Sequence, residues 1–484
     1  MHKYTLLPFR FKRYNQSEVF ISNEVGEYIF LSNNTFDRLI SYRLDKNSKE
    51  YQDIKSKQII ADKEIDFTIE MLATKYRTKK CFLNEFTTLH MVVPTLRCNG
   101  NCIYCQVSSK GIDEKNYDMD KTTAKRIVET IFKTPSQAIK IEFQGGEPLL
   151  NFEIVKLIIL YANKLNILYK KRIEFVICTN LILLNEEILK FLKRYNVLIS
   201  TSLDGPENIH NFNRPLKNEN SYIFFSEKLD LAKNYLGIDR ISALMTTTKR
   251  SIGNFEQIID EYLSKGFHSI FFRIMNPYGL AKQKLLDIEY NVEDFFESYK
   301  KGLEYIFHLN LNGTFFIEIY ASLLLTRILT PFSIGFVDLQ SPAGAGIECA
   351  IYNCNGDVYL SDEGRMLGEM GNKKFLLGNV LKNSYEEIFN SHFLKMITAN
   401  TYLETLPECY NCAYLPYCGA DPVRNYLEQG DIISNKMICK SCQKNKLILD
   451  YLFNLIKEND VEIMNVFWSW ITHRAMEEIK LSRL

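Results

Sequence analysis

The chain has 484 residues, 46% of them hydrophobic, enough for about three domains with sizeable cores. Its 59 basic and 58 acidic side chains leave a net charge of +1, so no global field draws it to nucleic acid or to an anionic membrane. Twelve Cys, with no secretory signal and no apolar window of membrane length (roughly 20 residues), read as metal or redox ligands of a cytoplasmic protein rather than disulfides.

Residues 1–85 read as a separate module. Two β-prone runs, Val19-Phe20-Ile21 and Tyr28-Ile29-Phe30-Leu31, flank the polar turn 22–27. Asn34 or Thr35 is placed to cap a helix running to Ile40, and a lysine-rich connection leads to a second helix from Ile65 to Tyr76. From residue 86 to about 320, strand and helix signals alternate, which predicts an α/β unit with a parallel sheet. Strands are expected at 89–93, 138–143, 173–178, 197–203, 239–246 and 268–274. Helices are expected at 121–132, 152–166, 186–194, 223–235, 254–264 and 292–309. His90 and His268 flank apolar runs and read as packed side chains. A third unit, 321–444, is rich in Cys, and 445–484 is a helical tail carrying Trp468 and Trp470.

The chemistry-bearing residues fall at strand ends. Pro94 is expected to end the first strand, and Cys98-x3-Cys102-x2-Cys105 follows in a loop where Asn99, Gly100 and Asn101 supply turn chemistry. Three thiolates at this spacing can hold three irons of a four-iron cubane and leave the fourth without a protein ligand. A zinc ion, which takes four ligands, and a set of packed structural thiols are the competing readings. Gln144-Gly145-Gly146-Glu147-Pro148 follows the second strand, where paired glycines let backbones approach closely. Cys178-Thr179-Asn180 follows the third, with Cys178 read as a core thiol. Thr201-Ser202-Leu203-Asp204-Gly205-Pro206 ends the fourth, with Arg214 beyond; Asp204 and Gly205 read as turn residues. Toward the C-terminus, Cys409-x2-Cys412-x5-Cys418 precedes Cys439-x2-Cys442, and the two CxxC pairs alone would make a zinc ribbon.

The spacing of Cys98, Cys102 and Cys105, with Tyr104 before the last thiol, resembles the cluster loop of radical SAM enzymes. The resemblance implies a partial (β/α)6 barrel, a [4Fe–4S] cluster on the three thiolates, and S-adenosylmethionine chelating the open iron. One electron would then release a 5′-deoxyadenosyl radical that abstracts hydrogen. In this register Gly145, Gly146 and Glu147 match the family's GGEP motif, which implies contact with the cofactor's amino group. Thr179-Asn180 resembles its TNG turn with Leu181 in place of the glycine, and Asn180 is implied as a cofactor contact beside Tyr104. Ser202 and Arg214 are implied to bind the methionyl carboxylate, the alternative for Arg214 being a surface ion pair. Asn276-Pro277-Tyr278-Gly279, after the sixth strand, is expected to face the adenine side.

Gly344-x4-Cys349, Asn355-Gly356-Asp357-Val358-Tyr359 and Cys409-x2-Cys412-x5-Cys418 resemble the SPASM extension, which implies auxiliary [4Fe–4S] clusters. Ser361 and Pro422 stand where that pattern places two thiols of the first auxiliary cluster. One auxiliary cluster is therefore expected, on Cys409, Cys412 and Cys418 with Cys439 or Cys442. A second would draw on Cys349, Cys354 and the remaining thiol. Asp362 follows Ser361, where some relatives carry a proton-accepting Asp, and is the candidate general base; a solvated turn carboxylate is the other reading. The N-terminal hairpin and helices resemble a winged-helix-like peptide-recognition module that takes an extended leader as an added strand, against a purely structural extension. LLPFRF, GFVDLQSPAGAGIEC, SDEGRMLGEMG and CAYLPYCGADP are similar to the radical SAM maturases of His-Xaa-Ser systems. That likeness implies a ribosomally made peptide or small protein rich in His-Xaa-Ser as substrate, a second radical SAM protein as partner and an external electron donor. Formylglycine generation of the sulfatase-maturase type, and a non-enzymatic iron–sulfur or zinc scaffold that binds peptide, are the competing functions.

Overall fold

In a computed structural model, residues 4–62, 65–217 and 219–481 are described. Apolar runs that cannot be left in water form six parallel strands: Leu89–Thr95, Ala138–Gly145, Arg172–Cys178, Val197–Ser202, Ile241–Thr246 and Phe272–Arg273. They pair side by side in chain order. The intervening helices cover one face of the sheet, each sealing it with a fully buried side chain such as Ile127, Ile158, Leu189, Leu229 or Ile259. The other face mixes polar with apolar groups, with Cys178 in register with Ser200 and Leu244 with Ser202.

Several expectations change here. Pro94 does not end the first strand: pairing resumes at Thr95 after a register shift beyond Val92, where proline has no N–H to give the ladder. The stretch 268–274 is split. Ser269–Ile270 pairs with Ile317–Glu318, whereas Phe272–Arg273 pairs with the fifth strand. His90 is buried, its Nδ1 3.1 Å from the Tyr352 hydroxyl. His268 is exposed instead of packed, because it sits in the short link between a turn and the split strand. Cys178 is half-buried on the inner face and its thiol donates to Glu142 Oε1 (3.4 Å), so it is not a core thiol.

The boundary expected near 320 does not break the sheet. Cys349–Tyr352 lies parallel to the first strand, opposite Leu89–Val92, and the antiparallel strands Asp357–Tyr359 and Leu376–Asn379 extend the sheet to nine. At the N-terminus a strand absent from the expectations, Phe9–Arg13, joins Glu18–Asn23 and Tyr28–Ser32 in an antiparallel sheet. Its alternation of Phe with Arg and Lys carries little apolar signal. The following helix, Asn33–Ile40, is capped by Ser32, not by Asn34 or Thr35: the Ser32 hydroxyl accepts the Thr35 amide (3.1 Å).

One face of this small sheet closes its own core with Phe36, Leu39, Tyr51 and Ile54. The other docks on the C-terminal region. The Phe20 ring lies 4.7 Å from Phe453 and 5.5 Å from Tyr414, and the Ser22 hydroxyl donates to the Ala413 carbonyl (2.6 Å). The tail helices Lys440–Glu458 and Val461–Thr472 pack on the body, with the fully buried Trp470 ring 5.5 Å from Phe307 on Val292–Leu311. Among the described residues no helix is long and apolar enough to cross a membrane.

Phe453 is fully buried, and its ring also meets Tyr417 at 5.1 Å. Replacing it with Ala is expected to cost about 3–5 kcal/mol and to free the N-terminal sheet. Urea denaturation and limited proteolysis check this; an unchanged midpoint and cleavage pattern would contradict the docking.

Candidate active site

The ends of the first two strands are joined by backbone contacts that only glycine permits. The Gly146 amide donates to the Thr95 carbonyl (3.0 Å) and the Glu147 amide to the Arg97 carbonyl (2.7 Å). A Cβ on Gly145 would lie 2.4 Å from the Thr95 oxygen, and one on Gly146 would lie 2.1 Å from the Arg97 oxygen. Arg97 is itself fixed by a fork onto Asp118 (2.8 and 2.7 Å). The buried Glu147 carboxylate accepts from Thr179 Oγ1 (2.7 Å), the Asn180 amide (2.9 Å) and the Leu149 amide (3.1 Å). Burial pushes its carboxyl up to about 7, against those three donors. Asn180 Nδ2 then donates to Asn99 Oδ1 (2.8 Å) inside the Cys loop.

Leu181 keeps the left-handed backbone (φ +69°) that the missing glycine would adopt, and its side chain is fully buried. The strain of that conformation is about 1–2 kcal/mol. Burying a Leu side chain contributes about 1.5–3 kcal/mol, which offsets it.

On its other side the loop is anchored to the fourth strand. The Tyr104 hydroxyl and Arg214 Nε both donate to Asp204 Oδ2 (2.7 and 3.0 Å), while the Thr246 amide donates to Asp204 Oδ1 (3.1 Å). The Arg214 guanidinium lies over the Tyr104 ring at 5.4 Å. Asp204, which reads as a turn residue in the sequence, is therefore the fully buried anchor of this network. An acid at a strand end, ten residues before an Arg, is the signal that marks it. Arg214 is not in a surface ion pair: its partner is wholly buried and its own side chain is 16% exposed. Ser202 sits on the inner face opposite Leu244, outside this network. The Ile103 amide donates to the Asn213 carbonyl (3.0 Å), and the Cys105 carbonyl accepts from the Ala281 amide (3.1 Å). The loop is thus held by segments following the second, third, fourth and sixth strands, and the end of the fifth reaches it through Asp204.

Within the loop, burial raises the Cys98 thiol to about 12 and raises Cys102 as well, so loading with metal must displace protons. The Gly100 amide donates to Cys98 Sγ (3.3 Å), and a Cβ at Gly100 would lie 3.6 and 3.9 Å from the Cys98 and Cys102 sulfurs. Among the described residues no three His, Cys, Asp or Glu side chains gather within reach of a single metal ion. The donor set is instead three thiols wrapped by backbone, one of them met by an amide, with no fourth Cys in the loop. It fits a cubane held at three corners.

A cavity of about 450 Å³ opens between the inner face of the sheet and the C-terminal Cys residues. Gln144, Leu244 and Arg273 line it from the barrel, Cys349 and Asp362 from the sheet extension, and Cys409, Cys412, Cys418, Cys439 and Cys442 from the far wall. The Cys349 thiol donates to the Leu360 carbonyl (3.5 Å). Cys354 is buried in the turn after that strand, outside the cavity wall. Ser361 and Pro422 are both helix starts. The Ser361 hydroxyl accepts the Gly364 amide (3.2 Å) to cap Asp362–Glu369, and Pro422 opens Pro422–Gln429. Asp362 is partly buried, and burial together with its charge pushes the neighbouring Glu363 carboxyl well up. Burial and Asp338 raise Asp421 to about 6. Asn276 Oδ1, also on the wall, accepts from Arg424 Nη1 (3.1 Å).

Residues 92–288 match the Radical SAM superfamily. An uncharacterised Methanocaldococcus jannaschii protein, MJ0907, is 33% identical over 211 residues, which is 43% of this chain and 68% of that protein. The chain belongs to the radical SAM superfamily, whose members hold a [4Fe–4S] cluster and S-adenosylmethionine. It is related to a cysteine-type anaerobic sulfatase-maturating enzyme of Clostridium perfringens, 26% identical over 376 residues, 74% of this chain and 93% of that one. Its fold is shared with the solved structure of anSMEcpe with bound AdoMet and Cp18Cys peptide. That likeness has a TM-score of 0.64 at 21% identity and covers 76% of this chain and 98% of the other.

Gly146→Ala forces a methyl against carbonyl oxygens that cannot move aside, and is expected to cost about 3 kcal/mol. Gly253→Ala meets nothing within 4 Å and carries only the strain of φ +80°, about 1 kcal/mol. Equal losses in a denaturation series would contradict the close approach at Gly146.

Proposed function

We propose that the chain is a radical SAM maturase of a ribosomally synthesised peptide or small protein, with a substrate of the His-Xaa-Ser type (the HxsB subgroup). The observation that carries this reading is the cavity between barrel and C-terminal thiols, roomy enough for a peptide side chain and walled by Asp362. When bound, the cluster on Cys98, Cys102 and Cys105 with S-adenosylmethionine supplies one-electron hydrogen abstraction. The residues of the chain do the rest. The Gly145–Gly146 backbone, Asn180, Ser202 and Arg214 hold the cofactor. Arg214 is suited to a carboxylate because Asp204 takes only its Nε. Tyr104 orients Arg214 through Asp204, and the Glu147 carboxylate, saturated by three protein donors, keeps the glycine pair in place.

Cys409, Cys412 and Cys418 with Cys439 or Cys442 hold one auxiliary [4Fe–4S] cluster. Cys349 and Cys354 are too dispersed for an obvious second one, since only the first lines the cavity. Asp362, on the cavity wall, takes the substrate proton. Residues 1–85 recognise a leader as an added strand, and the contact of that sheet with the 409–418 loop would deliver the following residues toward the cavity. A second radical SAM protein and an external electron donor complete the system. Formylglycine generation is the second reading, favoured by the 26% identity to a sulfatase-maturating enzyme over 74% of the chain.

Replacing Cys98, Cys102 and Cys105 together with Ala is expected to abolish reductive cleavage of S-adenosylmethionine while about four irons remain bound per chain. Undiminished 5′-deoxyadenosine formation would refute the assignment. Mass spectrometry of a His/Ser-rich peptide after anaerobic turnover separates the two readings, because formylglycine appears only under the second.

A further inference from the structure

We propose that Tyr320 and Asn445 form a hydrogen-bonded relay that sets the reduction potential of the auxiliary cluster through Cys418. The inference rests on the reading of the five C-terminal thiols as an iron–sulfur site. Asn445 Nδ2 donates to Cys418 Sγ at 3.5 Å, and the Tyr320 hydroxyl donates to Asn445 Oδ1 at 2.7 Å. The two residues come from different helices, Ile319–Leu329 and Lys440–Glu458, and both line the cavity. Tyr320 has little freedom: it is 5% exposed, its ring stacks on Phe271 (5.9 Å, 6° between planes), and Lys444 Nζ lies 4.2 Å over its face.

The chemistry of the relay follows from its donors and acceptors. A cluster-bound thiolate can only accept, so the Asn445 nitrogen must face it; the reverse orientation would press an amide oxygen against sulfur. The Tyr320 hydroxyl secures the productive orientation by occupying Oδ1, and it polarises the amide so that its N–H is a better donor. An N–H···S bond draws charge off the thiolate and favours the more negative, reduced cluster, which raises the potential. Among the described residues Cys418 is the thiol of the five that receives an amide N–H from a side chain. Tyr320 and Asn445 are positioning residues, not catalytic ones.

The test uses the full chain carrying Cys98, Cys102 and Cys105→Ala, reconstituted anaerobically with iron and sulfide so that the C-terminal thiols alone bind iron. EPR-monitored redox titration then compares this parent with added Asn445→Leu or Tyr320→Phe. Asn445→Leu is expected to shift the midpoint to more negative potential by about tenfold in the reduction equilibrium, ~59 mV for one electron. Tyr320→Phe removes one oxygen, and a smaller shift of the same sign is expected. Unmoved midpoints in both variants at the parent's iron content would overturn the relay and leave the cluster reading intact. A parent that binds no iron, or binds zinc instead, would overturn both.

Discussion

The structure depends on a backbone approach that no Cβ could survive: the Gly145–Gly146 pair against the carbonyls of Thr95 and Arg97. It brings the second strand onto the root of the Cys loop. Glu147, the next residue, reaches the third strand through Thr179 and Asn180, and Asn180 returns to the loop at Asn99. A buried carboxylate raised toward neutrality is an expensive fastener, tolerable because three short hydrogen bonds meet it. Tyr104, Asp204 and Arg214 fasten the opposite side. The three thiols therefore sit on a rigid frame although their own segment has almost no regular structure.

The C-terminal third is part of that frame. Cys349–Tyr352 extends the sheet beside the first strand, so the strand that leads to the Cys loop is flanked on both sides. The extension then folds back to set the 409–418 loop and the first turn of Lys440–Glu458 across the cavity from the barrel. Phe20, Phe453 and Tyr414 join the N-terminal sheet to the same loop. A peptide held by that sheet and a side chain held in the cavity would share one continuous support.

Much of this was legible in the residues. The first five parallel strands, the helices 121–132 and 186–194 and the Cys-loop position follow from apolar period and turn chemistry, which are local. What was not legible is mostly non-local. Nothing in CAIY says that it pairs with Leu89–Val92, some 260 residues earlier, and the ladder leaves no local pattern. Asp204 reads as a turn residue because Asp before Gly usually is; only the fold brings Tyr104 and Arg214 to it. Leu181 hid a left-handed backbone that a glycine would have advertised. Phe9–Arg13 gives little strand signal because its cations dilute the apolar period, and His268 reads as packed because nothing local shows that the strand after it breaks in two.

The proposed chemistry starts from an iron with no protein ligand above Cys98, Cys102 and Cys105. Mössbauer spectra of ⁵⁷Fe-reconstituted protein, with and without S-adenosylmethionine, address it most directly. The cofactor is expected to alter a single iron site of the cluster in that loop. Spectra unchanged by the cofactor, or a loop that takes up zinc and no iron, would contradict it.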